Sequence, residues 1–252
     1  MSRIVFTSVT FRQLTRREIF DIAVENGITQ IEWGADVHLQ PQDDIALEEV
    51  TRLQRELGVS ACSYGSYYRL GANDMDAWRA VTQTAGAIGA KTVRIWAGSR
   101  PSAETDETAF SALVAEAQTL AEIAAERGLT IAFEFHKGTY NDTGASSVKL
   151  LKSIDRSNVK TYWQPMSIPE DEGNLQAVLP FLAGVHVFHW SKNGRRFSLK
   201  FGRRSWERFI RMIARGGADV PFILEFVKGD SRKQFARDVK TLRELLGGVY
   251  GE

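Results

Sequence analysis

The sequence predicts an α/β fold, a single (β/α)8 TIM barrel, on three observations. Eight short β-rich runs alternate with helix-like segments over 252 residues, which matches the size and element count of such a barrel. Glycines stand where a helix would end and the next strand begin, as left-handed C-cap residues do, at Gly27, Gly58, Gly89 and Gly128. No G-x-G-x-x-G motif follows the first run, which disfavours a doubly wound nucleotide-binding sheet.

Each strand is predicted from a run rich in β-branched and aromatic residues. In chain order the eight runs are residues 3–9, 28–33, 59–64, 92–96, 129–135, 159–163, 185–190 and 221–226. A loop and a helix-like segment follow each run, as expected of parallel strands joined by helical crossovers.

The helices are predicted from apolar residues spaced three or four apart, which place one apolar stripe against a sheet. The longest stripe consists of Phe110, Leu113, Val114, Ala117, Leu120, Ala121 and Ala124. Similar stripes run through residues 206–213 and 235–246. No linker, low-complexity tract or shift in composition interrupts the chain, so one domain over residues 1–252 is predicted.

Composition limits the classes of molecule that the protein is expected to bind. The chain is 43% hydrophobic and 25% charged, and its formal net charge of +1 provides no global field to recruit nucleic acid or an anionic membrane. The single cysteine, Cys62, calls for no oxidising compartment, and no uninterrupted apolar segment of about 18 residues indicates a membrane span. We therefore expect a cytoplasmic protein with a small-molecule partner.

Ionisable and amide side chains stand at the ends of the last four predicted strands: Glu134, Gln164, His189 and Glu225. Catalytic groups of these barrels come from the carboxyl ends of several strands. A buried carboxylate must be paired, protonated or bound to a cation. Two carboxylates, an imidazole and an amide oxygen suit a divalent metal, Mn or Mg first, Co or Zn second. The alternative is that each glutamate pairs with an arginine and His189 is an ordinary core histidine.

These residues resemble the ligand set of the xylose-isomerase-like barrel superfamily, in particular its ketose 3-epimerase branch. There Glu, Asp, His and Glu of strands five to eight hold the metal, which implies Glu134, Gln164, His189 and Glu225 here. Further family-like features are residues 31–34 with His38, the segment 63–67 with Tyr64, then Trp96, and Arg195 six residues after His189. Three positions depart from the family pattern: Gln164 replaces Asp, Ser167 replaces a substrate-binding His, and Tyr140 replaces a second Glu.

The resemblance implies an isomerase or epimerase acting on a sugar or keto-sugar. The metal would polarise the carbonyl, and a carboxylate would remove the neighbouring proton to give a cis-enediolate. Returning the proton to the other face epimerises, and returning it to the neighbouring carbon isomerises. We predict Glu134 and Glu225 as base and acid, and substrate contacts from His38, Tyr64, Trp96, His136, Lys192 and Arg195.

Two alternatives stay open. The same proton abstraction followed by loss of a β-substituent gives a metal-dependent lyase on keto-glycosides. A non-catalytic sugar-binding barrel with a decayed metal site is the other, with Gln164 as the trace of the decay. The basic residues within 192–208 could bind a phosphate or carboxylate substituent of the substrate, although a basic run is more often a solvated face. Homo-oligomerisation is expected by analogy with relatives alone.

Overall fold

Eight parallel strands close into a barrel in which each strand pairs with the next and β8 pairs with β1. The computed structural model describes residues 3–191 and 193–251. The strands are β1 (Ile4–Thr7), β2 (Gln30–Gly34), β3 (Ser60–Arg69), β4 (Thr92–Trp96), β5 (Thr130–Glu134), β6 (Val159–Trp163), β7 (Leu182–Val187) and β8 (Phe222–Leu224). This topology confirms the predicted fold class.

A helix follows every strand. The helices are α1 (Arg16–Glu25), α2 (Asp44–Leu57), α3 (Met75–Ala87), α4 (Glu107–Ala125), α5 (Gly144–Ile154), α6 (Asp171–Val178), α7 (Arg203–Arg215) and α8 (Arg232–Tyr250). The side chains of Thr15 and Thr143 form capping boxes at the starts of α1 and α5, which satisfy backbone N–H groups that a helix leaves unpaired. Within the described residues, no helix combines the length and the apolar character that crossing a membrane requires.

The four glycines predicted at helix-to-strand joints have positive φ values, between 63° and 75°. A residue with a side chain is strained in this left-handed region, whereas glycine is not. The glycines therefore let each of these helices turn directly into the next strand, as the sequence indicates.

One strand is shifted from its prediction. The run at 185–190 is predicted as strand, but β7 begins at Leu182 and ends at Val187. Gly184 lies inside it because the ring of Tyr162 comes within 2.8 Å of the position that a Cβ would take. Residues 188–190 instead enter a loop that folds back through an antiparallel bridge between Trp190 and Arg196.

Side chains pack in two layers. A large apolar cluster fills the space between the barrel and its helices and contains the outward-facing Val185, Val187 and Leu224 of β7 and β8. A small cluster of Val5, Ala132, Tyr162 and Ile223 lies inside the barrel. Since side chains alternate along a strand, residues two positions after this inner cluster also face inward, nearer the carboxyl ends of the strands.

Candidate active site

The inner apolar cluster is followed by a polar layer. Glu134 stands two residues after Ala132, Gln164 two after Tyr162, and Glu225 two after Ile223. All three side chains are buried. The structure therefore brings together three of the four residues predicted at the ends of strands β5 to β8. It does so at the end of the barrel where catalytic groups of this fold are found.

Two further charged residues complete the layer from the other half of the barrel. Arg94 on β4 lies between two carboxylates: its Nη1 donates to Glu134 Oε2, and its Nε is 3.5 Å from Glu32 Oε1. Glu32, on β2, also accepts a hydrogen bond of 2.8 Å from Ser63 Oγ. Both Arg94 and Glu32 are almost completely buried. A guanidinium thus links strands on opposite sides of the cluster.

The imidazole in the cluster belongs to His186 on β7. Its Nδ1 lies 3.2 Å from Gln164 Oε1, 3.3 Å from Glu225 Oε2 and 4.0 Å from Glu134 Oε1. Its Nε2 lies 3.3 Å from Glu32 Oε1. His186 therefore stands in the middle of the carboxylates, with none of its side chain exposed.

The environment separates the pKa values of these carboxylates. Burial opposes the ionisation of Glu32, but the charge of Arg94 and the contact with His186 outweigh it and lower the pKa to about 2. Burial likewise opposes the ionisation of Glu134, and Arg94 again reverses the effect and lowers its pKa. Burial raises the pKa of Glu225 above its usual range, although His186 pulls against it. One carboxylate is thus held ionised while another is made ready to carry a proton.

Charge balance supports the same division. Burial opposes protonation of His186, but the neighbouring carboxylates Glu225 and Glu32 raise its pKa. Among the ion pairs of the described residues, Arg94 joins Glu32 and Glu134, whereas Glu225 faces His186 alone. A buried charge without a partner is costly. Glu225 is therefore the member of the cluster that is most readily neutral.

Trp96, a predicted substrate contact, holds Glu134 instead. Its Nε1 donates to Glu134 Oε2 at 2.5 Å. The Arg69 guanidinium lies 3.4 Å over one part of the indole, and the His136 imidazole stacks on it with centroids 5.4 Å apart. Because Arg69 and His136 pack against the indole of Trp96, its Nε1 is held in position to donate to the Glu134 carboxylate.

Trp96→Phe is expected to lower the free energy of unfolding because it removes the N–H that Glu134 accepts. A hydrogen bond to a charged group contributes about 1.5 to 3 kcal/mol. Trp190→Phe is the matched control, since Trp190 Nε1 has no hydrogen-bond partner among the described residues. Urea unfolding of both variants should give the larger loss for Trp96→Phe, and equal losses would contradict the assigned hydrogen bond.

His38 and Tyr64 lie away from the cluster. His38 is buried, and its Nε2 is hydrogen-bonded to the carbonyl oxygen of Leu14 at 3.0 Å. The buried Tyr64 hydroxyl donates to the carbonyl oxygen of Leu39 at 2.6 Å. Both side chains therefore fasten the loop after β2, and the structure shows them in packing contacts.

His189 is not brought to Glu134, Gln164 and Glu225. It follows the parity of Val185 and Val187, and that face of β7 packs toward the helices. Its ring contacts Phe197, and a Cβ on Gly202 at the start of α7 would lie 2.7 Å from its Nδ1. Burial lowers the pKa of this histidine. The interior position belongs to His186, one residue from Val185 on the opposite face of the strand.

The remaining predicted contacts lie in the loop after β7. Arg195 is exposed, with its guanidinium 5.3 Å from the Phe197 ring centroid. Lys192 lies outside the described residues. Of the other basic residues in this stretch, Arg196, Arg203 and Arg208 form ion pairs with Asp230, Glu244 and Glu172. Those three arginines are paired at the outside of the barrel.

A cavity of about 130 Å³ opens beside the polar layer. Gln164 and His136 line it together with the apolar side chains of Met166, Phe188 and Trp190. Ser167 in its wall has a φ of 60°. Left-handed conformations of this kind collect at functional sites. Through Gln164, the cavity adjoins the otherwise buried cluster.

The predicted metal ligands do not fit a common ion in this arrangement. His189 faces away, and Glu134 is surrounded by N–H donors from Arg94, Trp96 and Gln164. Such donors compete with a cation for the carboxylate oxygens. In the described part of the chain, no group of three or more His, Cys, Asp or Glu side chains is arranged to hold a metal ion. Ligation by Glu134, Gln164, His189 and Glu225 stays a prediction that this geometry does not support.

Three residues of the cluster, Glu32, Arg94 and His186, were not predicted as functional. Each had a signal in the sequence, because each is a lone charged or titratable residue inside an apolar strand. Such a residue needs a buried partner. Nothing local in the sequence, however, says that strands β2, β4 and β7 supply partners for one another.

A closed barrel with ionisable side chains gathered at the carboxyl ends of its strands defines the class of TIM-barrel proteins. Within that class, the family model described as xylose isomerase-like TIM barrel matches residues 20–245. The chain belongs to this family, which confirms the resemblance read from the sequence. A search of curated proteins finds no significant match.

Solved structures share the fold at low identity. A probable 3-DHS dehydratase, AsbF of Bacillus anthracis, has a TM-score of 0.82 and 18% identity, over 96% of this chain and 99% of that chain. A D-psicose 3-epimerase of Clostridium cellulolyticum H10, solved with D-tagatose, has a TM-score of 0.75 and 15% identity, over 98% and 99%. A xylose isomerase-like protein of Mycobacterium smegmatis, solved with magnesium, has a TM-score of 0.75 and 17% identity, over 98% and 97%.

Proposed function

We propose that this chain is a sugar isomerase or epimerase in which Glu134 and Glu225 move a proton beside the substrate carbonyl. One observation carries the proposal: two buried carboxylates lie near Nδ1 of His186, and Gln164, which contacts both His186 and Glu134, lines a cavity at the carboxyl ends of the strands. The separation of their pKa values supports distinct roles, since an acid and a base with different protonation states are what proton transfer requires.

The proposed step uses the chain's own groups. Ionised Glu134 takes the proton from the carbon next to the carbonyl, and the electron pair of the C–H bond passes into an enediolate. Protonated Glu225 gives its proton to the opposite face of the same carbon, which inverts it. Isomerisation would instead require the hydroxyl proton of the deprotonated carbon to move to the former carbonyl oxygen, and the proton from Glu225 to go to the former carbonyl carbon. After epimerisation the two carboxyl groups have exchanged protonation states.

Gln164 is proposed to assist this proton transfer. It lines the cavity, and its Nε2 lies 3.3 Å from Glu134 Oε1 as a donor. An amide nitrogen has two N–H groups, so the second remains for a substrate oxygen on which negative charge develops. The proposed step uses protein groups alone, since the predicted ligands do not fit a metal ion in this geometry.

Elimination is the second candidate reaction. The fold similarity to a probable dehydratase, over nearly the whole of both chains, supports elimination as a candidate. It shares the proton abstraction by Glu134 and differs afterwards, because the electron pair expels a β-substituent and leaves a double bond. A small-molecule sugar or keto-sugar is the proposed substrate in both cases.

Solvent deuterium exchange over a panel of ketoses tests the proposal. The wild-type protein is expected to introduce deuterium at the carbon beside the carbonyl of at least one sugar, and Glu134→Gln is expected to introduce none. Circular dichroism of Glu134→Gln must first show a folded chain, since the substitution leaves Arg94 short of a partner. Mass spectrometry of the same samples separates elimination, which changes the formula of the sugar.

A wild-type protein that binds a panel sugar and exchanges no deuterium would contradict the enzyme assignment. That result would favour the non-catalytic sugar-binding barrel. Exchange that survives in folded Glu134→Gln would remove this residue from its role and leave the reaction class standing.

A further inference from the structure

We propose that the Arg94 guanidinium is the fixed cation of this site and stands where the family resemblance implies a divalent metal ion. The inference concerns how the buried carboxylates are compensated, and it holds whichever reaction the site performs. The ligand set that the family resemblance implies differs from the side chains that the structure brings together.

The position of Arg94 is the first support. It comes from β4 and reaches Glu134 on β5 with one nitrogen while another lies 3.5 Å from Glu32 on β2. It is 2% exposed, and the two carboxylates are 5% and 0% exposed. Buried carboxylates require a compensating cation. A guanidinium has five donors in a fixed planar arrangement and stays charged when buried, so one arginine can serve both.

A glycine in the barrel wall leaves space for the Arg94 guanidinium. Gly65 pairs with Arg94 across β3 and β4. A Cβ at Gly65 would lie 2.5 Å from Arg94 Nη2 and 3.2 Å from its Cζ. Tyr67, two residues further on, places its ring 5.8 Å from the guanidinium carbon. The glycine thus leaves room that the guanidinium fills, and an aromatic ring lies nearby.

The surroundings of Glu134 point the same way. Arg94 Nη1 and Trp96 Nε1 both donate to Oε2, and Gln164 Nε2 donates to Oε1. Both oxygens of this carboxylate therefore face N–H groups, whose positive ends would repel a metal ion. An aspartate at position 164 would offer oxygens alone, whereas glutamine supplies the donor that this arrangement uses. Gln164, which departs from the family pattern, and the buried Arg94 therefore both supply donors to the same carboxylate.

Manganese binding tests the inference without measuring turnover. After dialysis against EDTA, the wild-type protein is titrated with Mn²⁺ alone and followed by electron paramagnetic resonance and by thermal unfolding. We expect no saturable binding and no change in Tm. A site occupied by Mn²⁺ at about 100 times its Kd would raise the Tm by about 5 to 10 °C. Stoichiometric Mn²⁺ binding with such a rise would overturn the inference.

Removing the guanidinium should allow the site to bind Mn²⁺. Arg94→Ala leaves a cavity among Glu32, Glu134 and Glu225, and we expect it to bind one Mn²⁺ and to gain Tm on titration. Arg94→Ala combined with Glu134→Gln should lose that gain. Arg208→Ala is the matched control, since Arg208 pairs with Glu172 at exposed positions outside the barrel, and it should respond as the wild type does.

Each outcome of these titrations supports or contradicts the proposed role of Arg94. A folded Arg94→Ala that ignores Mn²⁺ would show that Arg94 does not take the place of an ion. Arg94→Ala that folds only when Mn²⁺ is added would support the inference. If this variant does not fold under either condition, the wild-type titration decides alone. Because every readout is binding or stability, a failure here is distinct from a failure of the deuterium exchange that tests the proposed reaction.

Discussion

Replacing Arg94 by methionine is expected to lower the free energy of unfolding by about 3 to 5 kcal/mol, the range for breaking a buried ion pair by removing one partner. Methionine fills much of the volume, so the loss comes from charge. It leaves Glu32 and Glu134 buried near the imidazole of His186 and without a guanidinium. Urea or guanidinium unfolding of the variant and the wild type measures the difference.

Arg203→Met is the matched control for this prediction. Arg203 pairs with Glu244 at 2.7 Å, but both side chains are close to half exposed. An ion pair at such a position contributes about 0 to 1 kcal/mol. If Arg94→Met cost no more than the control, the cluster would not depend on its guanidinium.

A double variant separates charge from packing. Arg94→Met combined with Glu134→Gln removes one buried cation and one buried anion together. We expect the pair to destabilise the protein by less than the sum of the two single changes, since contacting residues in one network are coupled. Additive losses would indicate that Arg94 and Glu134 act independently.

The fold was predictable from the sequence because its signals are local. Apolar stripes define the helices, β-rich runs define the strands, and Gly27 and Gly58 mark joints where only a left-handed residue fits. Strand boundaries were less predictable. Gly184 reads as a break in the run before Val185, but in three dimensions it makes room for the ring of Tyr162 from the neighbouring strand.

The sequence predicted some residues of the candidate site and missed others, and the difference between them has a physical cause. Glu134 and Glu225 were found because a carboxylate closing an apolar strand is conspicuous. His186 was missed in favour of His189 because both faces of a barrel strand are apolar, so the pattern does not say which face is inward. A strand that ends at Val187 leaves His186 inside and His189 outside.

Arg94 was missed for a different reason. Its partners come from β2 and β5, and their proximity is a property of the closed barrel. The sequence stated the general possibility that each glutamate pairs with an arginine, but it could not say which arginine. Side chains from strands far apart in sequence become neighbours through closure of the barrel alone.

The polar layer also predicts that stability and activity respond differently to its two carboxyl groups. Glu134 is held ionised by Arg94, so Glu134→Gln removes one of the two carboxylates that this buried cation contacts and should destabilise the protein. Burial favours the neutral form of Glu225, and glutamine has nearly the shape and the charge of a protonated glutamate. Glu225→Gln should therefore fold with a free energy of unfolding within about 1 kcal/mol of the wild type.

Activity should nevertheless fall strongly in Glu225→Gln, because an amide cannot give up the proton that the proposed step requires. General acid or base groups contribute about 10² to 10⁴-fold in rate. We expect inversion of the carbon, measured as conversion of the sugar found by the screen to its epimer, to slow by that factor, while Glu134 can still exchange the proton on its own face. Unfolding and epimerisation are measured on the same preparation, so that lost structure cannot imitate lost chemistry. A variant that is stable and epimerises at the wild-type rate would exclude Glu225 as the acid, whereas one that is destabilised by several kcal/mol would show that Glu225 is ionised in the native cluster.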